Sequence, residues 1–292
     1  MTAKLRIGLI GARGYAGREL VRLLAGHPDF ELGLATSSTS SPAALSTEKL
    51  DAVVLALPND KSAPWLENIA PGCPVVDLSA DHRFDDAWTY GQPERHRATI
   101  RGALRVANPG CYATAMQLAI LPFVPLLGGL VHVFGVSGFS GSGSTPSPKN
   151  DPEILRDNLL PYALVDHVHE REVTRQLGHP VRLLPHVAPF FRGVSVTLSF
   201  VLRAPHEHAE LQELLLSRYE NEPLVRVSDE APLVRDVALS HEVRIGGLEV
   251  SVDRKSFALV ATIDNLLGGA ATQALRNLNL MTGHDERAGL EP

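Results

Sequence analysis

Lys4-Leu5-Arg6-Ile7-Gly8-Leu9-Ile10-Gly11-Ala12-Arg13-Gly14-Tyr15-Ala16-Gly17-Arg18-Glu19-Leu20 is the stretch from which the fold follows. Its first part is a short apolar strand. The glycine-rich segment Gly11 to Gly17 turns the chain, and the helical pattern Arg18 to Ala25 takes over. A second strand, Glu31 to Ala35, comes after His27-Pro28-Asp29. Strand, glycine turn, helix and strand within about 30 residues make a nucleotide-binding unit. The glycines permit a tight turn, let backbone approach a pyrophosphate, and let helix pack close to sheet. The helix N-terminus then offers free N–H groups to the anion. The spacing Gly11-x-x-Gly14-x-x-Gly17 is not the plain G-x-G-x-x-G, so its weight comes from standing between strand and helix. Gly11, Ala12, Arg13, Gly14, Tyr15 and Ala16 are the expected cofactor contacts.

Working outward, the second strand ends in Thr36-Ser37-Ser38-Thr39-Ser40. An NAD site usually carries an acid there for the ribose 2′-hydroxyl. Here hydroxyls replace it, which favours NADP, with Ser37 and Ser38 as contacts. A polar loop of no special use is the competing reading. Asp51 to Pro58 and Val75 to Ser79 read as further buried strands. Alternating strands and helices predict a parallel α/β sheet with right-handed crossovers. Ligands gather at the carboxyl ends of such strands, which places Pro58, Asn59, Ser79, Asp81 and Arg83 near a site.

Beyond this unit, Asn108-Pro109-Gly110-Cys111-Tyr112 puts a cysteine after a rigid turn and before the helical run Ala113 to Leu121. A thiol in the first turn of a helix feels the positive end of its dipole, which favours the thiolate. The competing reading is a small buried hydrophobe. Cys73, in Pro-Gly-Cys-Pro before a strand, has no such setting.

From about Leu130 the pattern changes. Val194 to Leu202 alternates as a strand, Glu207 to Tyr219 reads as a helix, and Val243 to Ile245, Leu248 to Val252 and Phe257 to Ile263 add strands. These suit an α+β domain with a mixed sheet. Gly268 to Leu280 reads as a helix returning to the first domain. The expected division is a nucleotide domain, 1–110 completed by 265–292, and a catalytic and dimerisation domain, 111–264. Ser142 to Pro152, rich in Ser, Pro and Gly, is the longest loop signal, read as a mobile cover of the site.

Composition narrows the function. The 292 residues are 44% hydrophobic and 21% charged, as in a globular protein of one large or two medium domains. The formal net charge is −6 and no basic run occurs, so no nucleic-acid partner is expected. Two cysteines and an N-terminus running straight into a strand imply a reducing compartment, most simply cytoplasm. Leu118 to Phe139 is nearly uncharged, but Pro122, Pro125, Gly128 and Gly129 break it, whereas a spanning helix needs roughly 20 apolar residues. No membrane partner is expected. His167-Val168-His169-Glu170 and His206-Glu207-His208 pair histidines two apart without a third and fourth ligand. They read as surface histidines rather than a metal site, with His167 close to the substrate.

Taken together, these motifs resemble the N-acetyl-gamma-glutamyl-phosphate reductase family. Gly11 to Leu20 resembles its opening, as does Asp77-Leu78-Ser79-Ala80-Asp81-His82-Arg83-Phe84. Asn108 to Thr114 is similar to its active-site cysteine motif, and Ser137-Gly138-Phe139-Ser140-Gly141-Ser142-Gly143 to its serine-glycine loop. Leu184-Pro185-His186 with Arg192-Gly193 resembles its histidine motif, and Asp264-Asn265-Leu266 with Gly268-Gly269-Ala270-Ala271 its return to the nucleotide domain. The related aspartate-semialdehyde dehydrogenases share the architecture. The resemblance implies reductive dephosphorylation of an acyl phosphate in arginine biosynthesis. Cys111 attacks and expels phosphate, the thioester is reduced with NADPH, and the thiohemiacetal collapses to an aldehyde. It further implies His186 as general acid/base, Arg83 for the leaving phosphate, Arg192 for the substrate carboxylate, and Asn108 at the substrate. Ser79, Ser137, Gly138 and Asn265 would join the cofactor contacts, and the protein would be a homodimer or homotetramer.

The chain departs from the family pattern in three places. Thr39 stands where an arginine often meets the 2′-phosphate, Ser144 and Thr145 stand where another often follows the second glycine loop, and Ser37 to Asp51 is short. Aminoadipyl or aspartyl phosphate are alternative substrates, and a non-catalytic NADP-binding protein is the alternative of a different class.

Overall fold

The computed structural model describes residues 3–47 and 49–290. The chain divides into two compact units, Met1–Gly110 with Ala270–Pro292, and Cys111–Gly269. The return to the first unit thus falls at Ala270, five residues beyond the boundary read from the sequence.

The first unit is built on a parallel sheet of β1 (Leu5–Ile10), β2 (Phe30–Thr36), β3 (Ala52–Leu55), β4 (Val75–Asp77), β5 (Thr89–Tyr90) and β6 (Arg105–Ala107), in the order β2-β1-β3-β4-β6-β5. Every pairing in it is parallel. Parallel strands are covered on both faces, so their sequences are continuous apolar runs; all four residues of β3 are buried. The order reverses beside β1, the switch point where doubly wound sheets bind nucleotides. Helices α1 (Tyr15–Gly26), α2 (Ala63–Leu66) and α3 (Pro93–Ile100) connect these strands.

The second unit carries a mixed sheet of β7 (Val131–Gly138), β8 (Leu160–Pro161), β9 (Val181–Ala188), β10 (Val194–Val201), β11 (Val225–Ser228), β12 (Val243–Val250) and β13 (Ser256–Ile263), in the order β11-β12-β13-β10-β7-β9-β8. The α/β plus mixed-sheet α+β architecture is as the sequence predicts. Two separate strands were expected over 243–252; β12 is one strand with a register shift between Gly246 and Glu249. Helices α4 (Cys111–Ile120), α5 (Pro152–Leu155), α6 (Val168–Leu177), α7 (His208–Tyr219) and α8 (Val234–Val237) complete the unit. One face of the sheet is sealed: Val131, Val133, Leu183, Val194, Val196, Leu198 and Leu259 form a single core with Tyr112, Ala115, Met116 and Ala119 of α4. Alternation along the strands sends the intervening residues to the other face, where Phe134 is 42% and Val201 48% exposed.

The chain leaves β13, passes a π-helical turn at Leu267–Ala271, and enters α9 (Thr272–Met281) of the first unit. All ten residues of α9 are buried. Its Arg276 pairs with Glu94 at 2.6 Å and with Glu286. Among the described residues, no helix is long and apolar enough to cross a membrane.

Candidate active site

In the nucleotide unit, residues 11–14 turn the chain between β1 and α1. A Cβ at Gly11 would lie 2.1 Å from the Ala56 carbonyl oxygen, and its φ is +90°, so only glycine fits. The Gly11 and Ala12 amides both donate to the Thr36 carbonyl, at 2.9 and 3.0 Å, and the Gly14 amide donates to Gly11. They lock the turn onto β2. Arg13 has an exposed side chain, and Tyr15 and Ala16 form the first turn of α1, where backbone N–H groups have no partner within the helix. After β2, the Ser37 hydroxyl lies 2.9 Å from that of Thr39 and 3.1 Å from that of Ser40. This tight hydroxyl turn, with no acid in it, fits a 2′-phosphate.

Other polar side chains expected at the ligand are engaged within the unit. Ser79 is buried and gives both its amide (2.8 Å) and its hydroxyl (2.9 Å) to Asp77. Burial pushes the Asp77 carboxyl above its ordinary range, with the Ser79 hydrogen bonds opposing. Asp81 instead is held below that range, because donors from Asp60 and Ser62 outweigh its burial. Arg83 was expected to meet the leaving phosphate; its guanidinium donates to the carbonyls of Asn108 (2.9 Å) and Leu78 (2.8 Å) and is buried. Asn108 was expected at the substrate; its amide oxygen accepts from Asn277 at 3.0 Å, and its NH2 faces the Pro109 carbonyl at 3.3 Å. Both residues pin the turn that precedes Cys111. Pro58 sits exposed just beyond β3.

In the second unit, Cys111 is the first residue of α4, half-buried and unbridged. Gly269 packs on it, and a Cβ there would fall 2.6 Å from the Cys111 Cβ. Around this helix start stand aromatic and imidazole rings. The Tyr112 hydroxyl donates to the His186 carbonyl at 3.1 Å. The His167 ring lies 6.3 Å from that of Tyr112 and 5.6 Å from that of Tyr162, and His169 lies 6.1 Å from Tyr112. Burial, with the charge of nearby Cys111, pushes the Tyr162 phenol far up; Tyr112 is raised as well, chiefly by burial. Both phenols are therefore protonated, the Tyr112 hydroxyl being committed to the His186 carbonyl.

The histidine assignment needs correction. His186 pairs with Val136 in the β7–β9 register. Val181 and Leu183, odd-numbered along β9, belong to the core shared with α4, so His186 points to the opposite face. There its ring packs against Phe134 at 4.7 Å, and its Nδ1 lies 3.1 Å from the Leu184 carbonyl. His167 and His169 are half-buried rather than surface residues. His167 caps α6, with Nδ1 accepting the His169 amide at 3.1 Å. When neutral, that imidazole carries its proton on Nε2.

Arg192 and Asn265 also have structural partners. Arg192 pairs with fully buried Asp264 at 3.1 Å. Asn265 accepts the Gly193 amide at 2.7 Å and donates to the Ser140 hydroxyl at 2.9 Å, tying the serine-glycine loop to β10. Ser137 is buried and donates to the Gly138 carbonyl at 2.8 Å. The Gly138 amide in turn donates to Gly193 at 2.8 Å. The expected loop at 142–152 is stitched by Asn150, whose NH2 donates to the carbonyls of Gly143 (3.0 Å) and Thr145 (2.8 Å). Among the described residues, no group of three or more His, Cys, Asp or Glu is placed to hold a metal.

Known proteins match both units. The chain is 48% identical over 304 residues to the N-acetyl-gamma-glutamyl-phosphate reductase of Xanthomonas axonopodis pv. citri, covering 96% of each chain. It is 47% identical over 309 residues to that of Xylella fastidiosa, covering 98% of this chain and 94% of the other. The chain belongs to the N-acetyl-gamma-glutamyl-phosphate reductase family. Family models agree: the semialdehyde dehydrogenase NAD-binding domain matches residues 6–45 and 41–103, and the semialdehyde dehydrogenase dimerisation domain matches 111–265. Aspartate semialdehyde dehydrogenase II from Vibrio cholerae shares the fold at a TM-score of 0.78 with 18% identity, over 97% of this chain and 99% of that one. Aspartate semialdehyde dehydrogenase from Candida albicans, solved with NADP, follows at 0.74 and 14%, over 96% and 99%. In this member of the reductase family, sequence reading missed the clustering of Tyr162 with Tyr112 around His167 and the packing of Gly269 on Cys111. Aromatic residues spaced far apart in sequence carry no local signal of convergence.

Proposed function

We propose that this chain reduces N-acetyl-gamma-glutamyl phosphate to N-acetylglutamate 5-semialdehyde through a thioester on Cys111. The carrying observation is the thiol at the first turn of α4, whose next residue, Tyr112, packs in a cluster of rings with His167 and Tyr162, in a chain matching reductases over nearly its full length. The Cys111 thiolate forms a C–S bond to the acyl carbon, the C–O bond to phosphate breaks, and phosphate departs with the electron pair. NADPH, when bound, supplies the hydride that reduces the thioester. Its holders are the turn at Arg13 to Ala16 and the hydroxyls of Ser37, Thr39 and Ser40. His167 is our general acid/base in place of His186: its Nε2–H protonates the oxyanion left by hydride transfer, and it takes that proton back as the C–S bond of the thiohemiacetal breaks, releasing the aldehyde and restoring the Cys111 thiolate. The backbone pins at Arg83 and Asn108 hold the turn that precedes Cys111.

A second copy would cover the exposed sheet face bearing Phe134 and Val201, making the protein an oligomer; the matching family model is a dimerisation domain. The test is phosphate-dependent reduction of NADP by N-acetylglutamate semialdehyde, with wild type beside Cys111→Ser. Activity that requires phosphate and disappears in the variant supports the reading. Activity with only aspartate or aminoadipate semialdehyde would move the substrate and keep the mechanism.

A further inference from the structure

Both arginines expected to receive the substrate's anionic groups are engaged inside the protein, Arg83 with carbonyls and Arg192 with Asp264. An acyl-phosphate site nevertheless needs a cation near the sulfur, because the phosphate leaves from the very carbon that the sulfur attacks. A cation of the unit that carries Cys111 stands against this cluster of rings. Lys149 lies in the short 3-10 turn Pro148–Asn150, and its ammonium sits 4.9 Å above the centre of the Tyr162 ring. The Tyr162 ring lies 5.6 Å from that of His167, which lies 6.3 Å from that of Tyr112, the residue next to Cys111. Lys149 is half-buried, and among the described residues it makes no ion pair; an aromatic face rather than a carboxylate holds it. Its charge is thus left for an incoming anion.

The surrounding loop is built to hold that lysine still. Asn150 donates twice, to Gly143 and Thr145, and accepts from the Ser147 amide at 2.8 Å. Asp151 then caps the next helix by accepting the Glu153 amide at 2.9 Å. A cation fixed before binding loses little entropy when the anion arrives. Between Ser142 and Pro152 the sequence has no arginine and no other lysine, so Lys149 is the cation that this segment provides.

We propose that Lys149 binds the phosphoryl group of the acyl phosphate, and inorganic phosphate in the reverse direction; this deepens the reductase reading and rests on it. The first test does not need turnover. Cys111 is alkylated with anionic iodoacetate and with neutral iodoacetamide, in wild type, Lys149→Met and Lys149→Arg, with and without inorganic phosphate. Lys149→Met keeps the aliphatic stem over Tyr162. The expected result is a fall of about fivefold in the iodoacetate-to-iodoacetamide rate ratio in Lys149→Met, with phosphate protection lost, and both retained in Lys149→Arg. An unchanged ratio, or protection that survives in Lys149→Met, overturns the proposal. In the coupled assay the phosphate KM rises about tenfold in Lys149→Met while the aldehyde KM stays put. A rise confined to the aldehyde KM would assign Lys149 to the substrate carboxylate and overturn the phosphate assignment. A wild type that shows phosphate protection at Cys111 but reduces NADP with no semialdehyde would sink the reductase reading while supporting the anion site.

Discussion

Cys73 lines a cavity of about 340 Å³ with Leu45, Leu50, Val53 and Ile69, whereas Cys111 opens a helix among phenols and imidazoles. Burial pushes the Cys73 thiol above its ordinary range, and Arg105 only partly opposes it. Its sulfur faces the Leu50 and Pro74 carbonyls at 3.8 Å, acceptors that stabilise the protonated form. Cys111 meets the positive end of a ten-residue helix, and the next residue, Tyr112, leads into a cluster of rings with His167 and Tyr162. The two settings teach that reactivity lies in what surrounds a thiol rather than in its exposure.

The largest expected effect breaks that comparison outright. Cys111→Ala is expected to lower kcat in the phosphate-dependent assay by more than about 10³-fold, since the nucleophile and its partners act as one unit. Cys73→Ala is expected to stay within about twofold, because nothing in its pocket touches the chemistry. Equal losses in the two variants would show that Cys73 has a part in the reaction.

The next effect separates two histidines. His167→Gln is expected to reduce kcat by about 10² to 10⁴ with little change in KM, the range for a lost acid/base group. His186→Gln is expected to change kcat less than about threefold, because its ring lies on the far face of the sheet. The reverse ordering would reinstate His186. Gly269→Ala comes third. Its methyl group would press on the Cys111 Cβ, and a displaced sulfur costs up to about 10²-fold in kcat. NADPH affinity, measured by fluorescence titration, should not move.

These contrasts also mark what could be read from the sequence. The glycine turn and the Pro-Gly-Cys start of α4 are local, so strand, turn, helix and thiol were all legible. His186 was misread because its direction depends on the register of β9, which Pro185 disguises; Leu184-Pro185-His186 does not look like a buried strand. His167 lay in plain view but gains meaning only when α6 packs on α4 and brings it to Tyr112. Arg83, Asn108 and Asn265 were identified as important, yet their partners are backbone groups, another amide and a hydroxyl, several of them distant in sequence. A motif shows that a polar side chain matters without showing whether it faces ligand or chain.

The smallest effect concerns stability, and its sign follows from the Cys73 shift. A thiol raised by folding binds its proton more tightly in the native state than in the unfolded chain, where it titrates near about 8.5. Above that pH the unfolded chain gives up its proton while the folded one retains it. The unfolded state is then favoured, and stability falls as pH rises toward the folded-state value. Below it both states are protonated and the thiol adds no slope. Cys73→Ala is therefore expected to lose some stability at neutral pH, from the enlarged cavity, and to decline less steeply than wild type between pH 8 and 10. Urea midpoints across that range read the difference directly. Parallel curves for the two proteins would mean that the Cys73 pocket admits enough water to solvate a thiolate, and the contrast with Cys111 would then rest on the helix start alone.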